Sequence, residues 1–190
     1  MVVGFVGKAG SGKSTAAERF KRLGAEIISL DELGHDSLDE EKERIIDSFG
    51  KIVLTCGKVD RKKLSKKVFE DSELLLRLNE ILHPVIRRKA LEALERCNSK
   101  LCIIDGALIH EIGLADRCDK VIWFECTKKA SVERLMKRGM SKYRAESILR
   151  SQSYLNSKKE LVSAEVSTSG SIDETFEKVR EVLFGWGIVV

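Results

Sequence analysis

The stretch Gly7–Thr15, GKAGSGKST, decides the fold. It meets the pattern G-x-x-x-x-G-K-[ST] through Gly7, Gly12, Lys13 and Ser14. Before it lies the apolar run VVGFV at 2–6, which predicts a short buried strand. After it, Ala16-Ala17-Glu18-Arg19-Phe20 predicts a helix. Strand, glycine loop and helix together form a cradle, because glycines reach backbone angles that let successive N–H groups turn inward around phosphate oxygens. The helix N-terminus adds its partial positive charge. In that geometry Gly10, Ser11, Gly12, Lys13, Ser14 and Thr15 hold the phosphates of a nucleotide. Lys13 reaches the β- and γ-phosphates, and the Ser14 hydroxyl binds Mg²⁺. A glycine-rich turn without a ligand is the alternative, and the complete pattern in this context weighs against it.

The chain has 190 residues, enough for one domain with room for an inserted subdomain. Hydrophobic residues make up 43% and charged residues 34%, which is a core with a polar surface. The net charge of +4 is spread along the sequence, so an anionic small molecule accounts for it as well as nucleic acid does. Aromatics are only 6% and do not interleave with the basic residues, which argues against base stacking and a nucleic-acid partner. The first apolar run lacks a basic leader, and no apolar stretch reaches the roughly 18 residues of a membrane span. Cys56, Cys97, Cys102, Cys118 and Cys126 are odd in number and form no CxxC pair. Buried, reduced thiols in a cytoplasmic protein are the expectation.

Further along, apolar runs alternate with helical patterns. Residues 26–30 predict a second strand that ends at Asp31, and residues 39–49 a helix with Ile45, Ile46 and Phe49 on one face. From Arg61 to Arg96 the pattern is almost continuously helical, with Leu64, Val68 and Phe69 on one stripe and Pro84 opening a new helix. Residues 101–105, 120–125 and 162–166 predict three more strands. Residues 131–152 predict a helical pair interrupted at Gly139, and 172–183 a final amphipathic helix. The apolar ending at 184–190 either caps the core or meets another subunit. The sum is an α/β domain: a parallel five-stranded sheet of P-loop kinase type flanked by helices. A helical insertion at 57–97 and a helical lid at about 131–152 complete it.

Ligands of such sheets lie beyond the carboxyl ends of the strands. There is no N-K-x-D segment to read guanine, and the chain is short for a motor ATPase, so a small-molecule kinase is the better fit. Asp31 can take a proton from an acceptor hydroxyl, or it can cap a helix. Asp105 can help position Mg²⁺ through water, or it can cap a strand end. Arg134 and Arg138 share one helix face, with Arg144 and Arg150 beyond the glycine. Arg138, beside Gly139, is the choice for closing over a triphosphate, and a solvated basic face is its alternative. For Arg61, His83 and Arg87 chemistry alone favours ordinary helix-end roles.

One resemblance changes that weighing. GSGKS at 10–14, ISLDELG at 28–34, GKVDRKKLSKKVF at 57–69, ILHPVIR at 81–87, DGALIHE at 105–111, RLMKR at 134–138 and ILRSQ at 148–152, in this order, resemble the dephospho-coenzyme A kinase family. The likeness covers nearly the full chain. It implies ATP-dependent phosphorylation of the ribose 3′-hydroxyl of dephospho-CoA, with ATP and Mg²⁺ as cofactors. It also implies Asp31 as the base, Lys13 and Arg138 steadying the phosphoryl group, and Arg61, His83 and Arg87 in a substrate-side helical region. The chain departs from the family pattern at Val6 and Lys8 in the loop, at Ser29 and at Gly139. It departs again at Ala107–Glu111, where the proline of P-L-L-F-E is missing, and at Ser167–Gly170, where the family has D-N-x-G.

Overall fold

The structure, a computed structural model, describes residues 1–69 and 71–189. Glu70, Val190 and the side chain of Phe69, which the sequence places on a stripe with Leu64 and Val68, lie outside the described residues. The chain divides into two compact units, one of Met1–Ser29 with Arg96–Val190 and the other Leu30–Glu95.

In the first unit β1 (Val2–Val6) leads through the glycine loop into α1 (Lys13–Arg22), and β2 (Glu26–Ser29) follows. The other unit contributes α2 (Leu30–Glu40), α3 (Lys42–Phe49), the short strands β3 (Leu54–Thr55) and β4 (Lys58–Val59), α4 (Arg61–Phe69) and most of α5 (Ser72–Arg96). The chain then returns with β5 (Cys102–Asp105), β6 (Lys120–Glu125), the helical pair α6 (Lys128–Lys137) and α7 (Lys142–Ser151), β7 (Ala164–Ser167) and α8 (Ile172–Gly185). The sheet order is β2-β5-β1-β6-β7, and every pairing is parallel. Such a sheet is covered on both faces, which is why β5 and most of β1 and β6 are continuous apolar runs rather than alternating ones.

Phe5 sits at the centre of the core, 4.8 Å from the Phe124 ring and edge-on to Phe20 at 6.2 Å. Val179 and Leu183 of α8 join the same cluster, and α8 opens on a reciprocal capping box between Ser171 and Glu174. Of the apolar ending, Trp186 and Ile188 pack onto this core while Phe184 stays 69% exposed.

The second unit has its own core of Leu38, Ile45, Phe49, Val53, Val59, Leu64, Val68 and Ile81. Cys56 and Gly57 link β3 to β4 with positive φ at both positions, as a two-residue hairpin turn demands. Asp60 caps α4 by accepting from the Lys62 and Lys63 N–H groups at 2.9 and 3.1 Å.

Three sequence expectations are corrected. Strand β2 stops at Ser29, and Asp31 lies inside the first turn of α2 rather than at a strand end. Pro84 does not open a helix, because α5 runs through it. Pro84 and Glu80 are exposed, so water can satisfy the Glu80 carbonyl that the missing N–H leaves over. Finally, only Cys102 of the five free cysteines is buried, and Cys56 is exposed. Burial pushes the thiols of Cys102 and the half-buried Cys118 up to about 12, so both stay protonated at neutral pH.

Candidate active site

The glycine loop closes the carboxyl end of β1. Gly10 and Gly12 take positive φ of 75° and 92°, and the Ser11 N–H folds back to the Lys8 carbonyl at 3.1 Å. Gly12 then serves as the N-cap of α1 without any side-chain cap, and the first turn of α1 holds no acid. That leaves N–H groups and the positive helix end for an anion. Lys13 is 9% exposed and makes no ion pair among the described residues. The Ser11 hydroxyl is buried with no hydrogen-bond partner. A buried cation and an orphaned buried donor beside a helix N-terminus fit phosphate oxygens.

The loop is pinned from two sides. The Ala9 N–H donates to Gln152 Oε1 at 2.8 Å, from the residue that ends α7. The Arg134 guanidinium donates to the Gly10 carbonyl at 3.2 Å, to Thr168 Oγ1 at 3.0 Å and to the Thr168 carbonyl at 2.5 Å. Thr168, 1% exposed, is itself held by its N–H and hydroxyl to the Glu125 carbonyl. Arg134 is therefore bound into the loop's frame, whereas Arg138 makes no ion pair among the described residues. Arg138 caps the end of α6 just before Gly139, whose φ is 87°. A cavity of about 230 Å³ opens beside Gly12 and Thr15, bounded by Arg138, Thr168 and Ile172, and suits a flat heteroaromatic ring next to the phosphates.

The loop also touches α6 closely. A Cβ on Gly10 would stand 2.7 Å from the Ser131 carbonyl oxygen, a backbone atom that cannot swing aside. Gly139 has a comparable φ but nothing within 4 Å. Gly139→Ala is expected to lower unfolding free energy by about 1 kcal/mol for the left-handed angle alone. Gly10→Ala is expected to cost clearly more in the same urea titration, and equal losses would contradict the close approach.

Asp105 ends β5, 6% exposed, in register with Phe5 of β1 on one side and Ser29 of β2 on the other. In the second unit Asp31 is exposed, and its carboxylate accepts no hydrogen bond among the described residues. It is thus no helix cap. His83 and Arg87 stand one turn apart inside α5, and Arg61 opens α4. Arg88 pairs with Glu40 and Glu92 and Lys89 pairs with Glu40, tying α5 to α2, while Arg61 and Arg87 make no ion pair among the described residues. Gln152 and Thr168 acquired no role from sequence patterning, because what makes them matter is contact across 143 and 34 residues of chain.

Burial lowers the His83 pKa from its ordinary value, and its Nε2 is buried without a hydrogen-bond partner. His110 is lowered for the same reason, against the pull of Glu111 and with help from Lys158. Both rings stay neutral in the fold at pH values where the unfolded chain, near 6.5, already takes up a proton. Stability contributed this way is present above about pH 6.5 and falls as the pH drops through that value. Glu40, Asp60 and Glu125 are held below the usual carboxylate range, so their contribution is lost only at lower pH. Thermal unfolding is expected to give a level midpoint from pH 8 to 7 and a falling one from about 6.5 to 5.5. The double variant His83→Asn/His110→Asn is expected to flatten that fall; an unchanged slope would assign it elsewhere.

A parallel sheet of this order, with a phosphate cradle after its central strand and a helical pair over that loop, defines a P-loop kinase. The family model for dephospho-CoA kinase matches residues 1–174. The chain is 31% identical to the dephospho-CoA kinase of Bacillus licheniformis, over 98% of this chain and 96% of that one. It is 34% identical to the dephospho-CoA kinase of Aquifex aeolicus, over 95% and 94% respectively. Among solved structures, TT1252 from Thermus thermophilus superposes with a TM-score of 0.82 at 27% identity, each chain covered to 97%. The chain belongs to the dephospho-CoA kinase family.

Proposed function

We propose that this protein transfers the γ-phosphoryl group of ATP to the ribose 3′-hydroxyl of dephospho-CoA, giving CoA and ADP in the last step of coenzyme A biosynthesis. The observation that carries the reading is an intact phosphate loop, with a buried Lys13 that makes no ion pair among the described residues, in a chain that matches the family over residues 1–174. The N–H groups at 10–15 and the Lys13 ammonium hold the phosphates, and the pocket beside Gly12 takes the base. Ser14, with Asp105 acting through water, supports Mg²⁺. One hydroxyl and one carboxylate suit an ion that keeps several waters and is carried in on phosphates. The bound ion supplies charge neutralisation on the β- and γ-phosphates.

Asp31 accepts the proton of the 3′-hydroxyl, whose oxygen forms the new bond to γ-phosphorus as the bond to the β–γ bridging oxygen breaks. Arg138, at the end of α6, closes on the transferring group and excludes water. Arg61, His83 and Arg87, on the helices of the Leu30–Glu95 unit, receive the acceptor, with the two guanidiniums available for its phosphates. The test is a coupled ADP-release assay with ATP-Mg²⁺ and dephospho-CoA, AMP or no acceptor. Turnover that requires dephospho-CoA supports the assignment. Turnover with AMP alone moves the acceptor class, and turnover without acceptor makes the protein a nucleotide hydrolase.

A further inference from the structure

A second cavity, of about 480 Å³, opens on the first unit, and none of its lining residues lines the pocket beside Gly12. Lys8 of the glycine loop, Lys128 at the start of α6, Arg150 near the end of α7 and Lys159 line it, and Glu125 is the only acid among the described residues that does. Glu125 is already engaged: Lys159 pairs with it, and the Trp123 indole N–H donates to it at 2.8 Å. These hydrogen bonds outweigh the effect of burial and keep its carboxyl ionised. Lys159 is further held by Glu165 at 3.2 Å. That leaves Lys128 and Arg150 without an acidic partner among the described residues, and Lys8 sharing only the field of the already engaged Glu125, the three converging on one hollow.

Three like charges around a concave surface raise each other's energy and concentrate counter-ions. The rest of the described lining adds polar side chains and no acid beyond Glu125. Ser153 and Asn156 also line the cavity, and α6 begins there with no acid in its first turn. The volume exceeds that of a single phosphate and falls in the range of small-molecule sites. Lys8 is also where this chain departs from the glycine of the family loop.

We propose that this cavity is a second anion site, which takes a phosphorylated small molecule with a diphosphate or equivalent pair of phosphate charges while a nucleotide occupies the glycine loop. Its occupant bridges Lys8 in the loop to Arg150 on α7, two residues before the Gln152 that holds Ala9. The site thereby couples the lid helices to the loop.

The experiment is calorimetric titration of pyrophosphate into the full chain saturated with a non-hydrolysable ATP analogue, the analogue set by each variant's own affinity. Trp123, in contact with the Glu125–Lys159 pair, gives a second readout by fluorescence. Saturable binding is expected, weakened at least about tenfold by Lys128→Gln/Arg150→Gln and falling with salt as two to three charge contacts require. Lys21→Gln, on α1 outside the cavity, is expected to leave it unchanged. Loss of binding once the analogue is saturating would mean that pyrophosphate competes for the glycine loop alone, and equal binding by the double variant would mean diffuse surface charge; either result overturns the proposal. Neither depends on which acceptor the kinase uses.

Discussion

Asp31→Asn is expected to lower turnover with dephospho-CoA by about 10²–10⁴-fold while ATP affinity and thermal stability stay at the wild-type level. The size follows from what the amide retains and what it loses. Asparagine keeps the shape and one acceptor oxygen, so it can still orient a hydroxyl, but it cannot hold the proton as the new bond forms. The stability side follows from the structure, where Asp31 is exposed in the first turn of α2 and its carboxylate accepts no hydrogen bond among the described residues. Only a few tenths of a kcal/mol of helix-dipole interaction are at stake in the fold. Steady-state ADP release, nucleotide titration and a melting curve on the same preparation separate these quantities. A loss of less than about tenfold would remove Asp31 as the base and leave it an orienting group. A lowered melting point would make it structural.

The parts of the fold legible in the sequence are those fixed by neighbours in the chain. The run VVGFV into GKAGSGKST set β1, the loop and α1, because each step depends on a local dihedral or a local apolar period. The five parallel strands were legible for the same reason, since β5 and β6 are buried on both faces and read as unbroken apolar runs. The hairpin at Leu54–Val59 was not, since strands of two residues carry no period. Pro84 misled because a local rule, proline at helix starts, gave way to the packing of Ile81, Val85 and Ile86 along a helix whose exposed side could absorb the lost bond. The site followed the same division. Lys13 and Ser14 came from the motif, while the roles of Gln152 and Thr168 exist only through contacts distant in sequence. The roles implied for Arg61, His83 and Arg87 came from the resemblance alone.

The two arginines that sequence placed on one helix face are expected to fail differently. Arg134→Ala is expected to lower unfolding free energy by about 2–3 kcal/mol and to weaken nucleotide binding, because its guanidinium ties the Gly10 carbonyl to both polar groups of Thr168. Removing it leaves those carbonyls to water and frees the loop from the strand end that holds Thr168, at the Glu125 carbonyl. Arg134→Lys is expected to restore only part of the loss, since one ammonium cannot reach Gly10 and Thr168 with a fixed fork. Arg138→Ala, by contrast, removes a side chain with no ion pair among the described residues, so it is expected to leave urea unfolding unchanged and to lower kcat. Measuring unfolding, nucleotide affinity and kcat on all three variants distinguishes a brace from a group that acts on the phosphoryl. If Arg134→Ala unfolds as the wild type does and loses only kcat, Arg134 contacts the transferring phosphate in the closed state. The bonds to Gly10 and Thr168 would then be its resting position rather than its function.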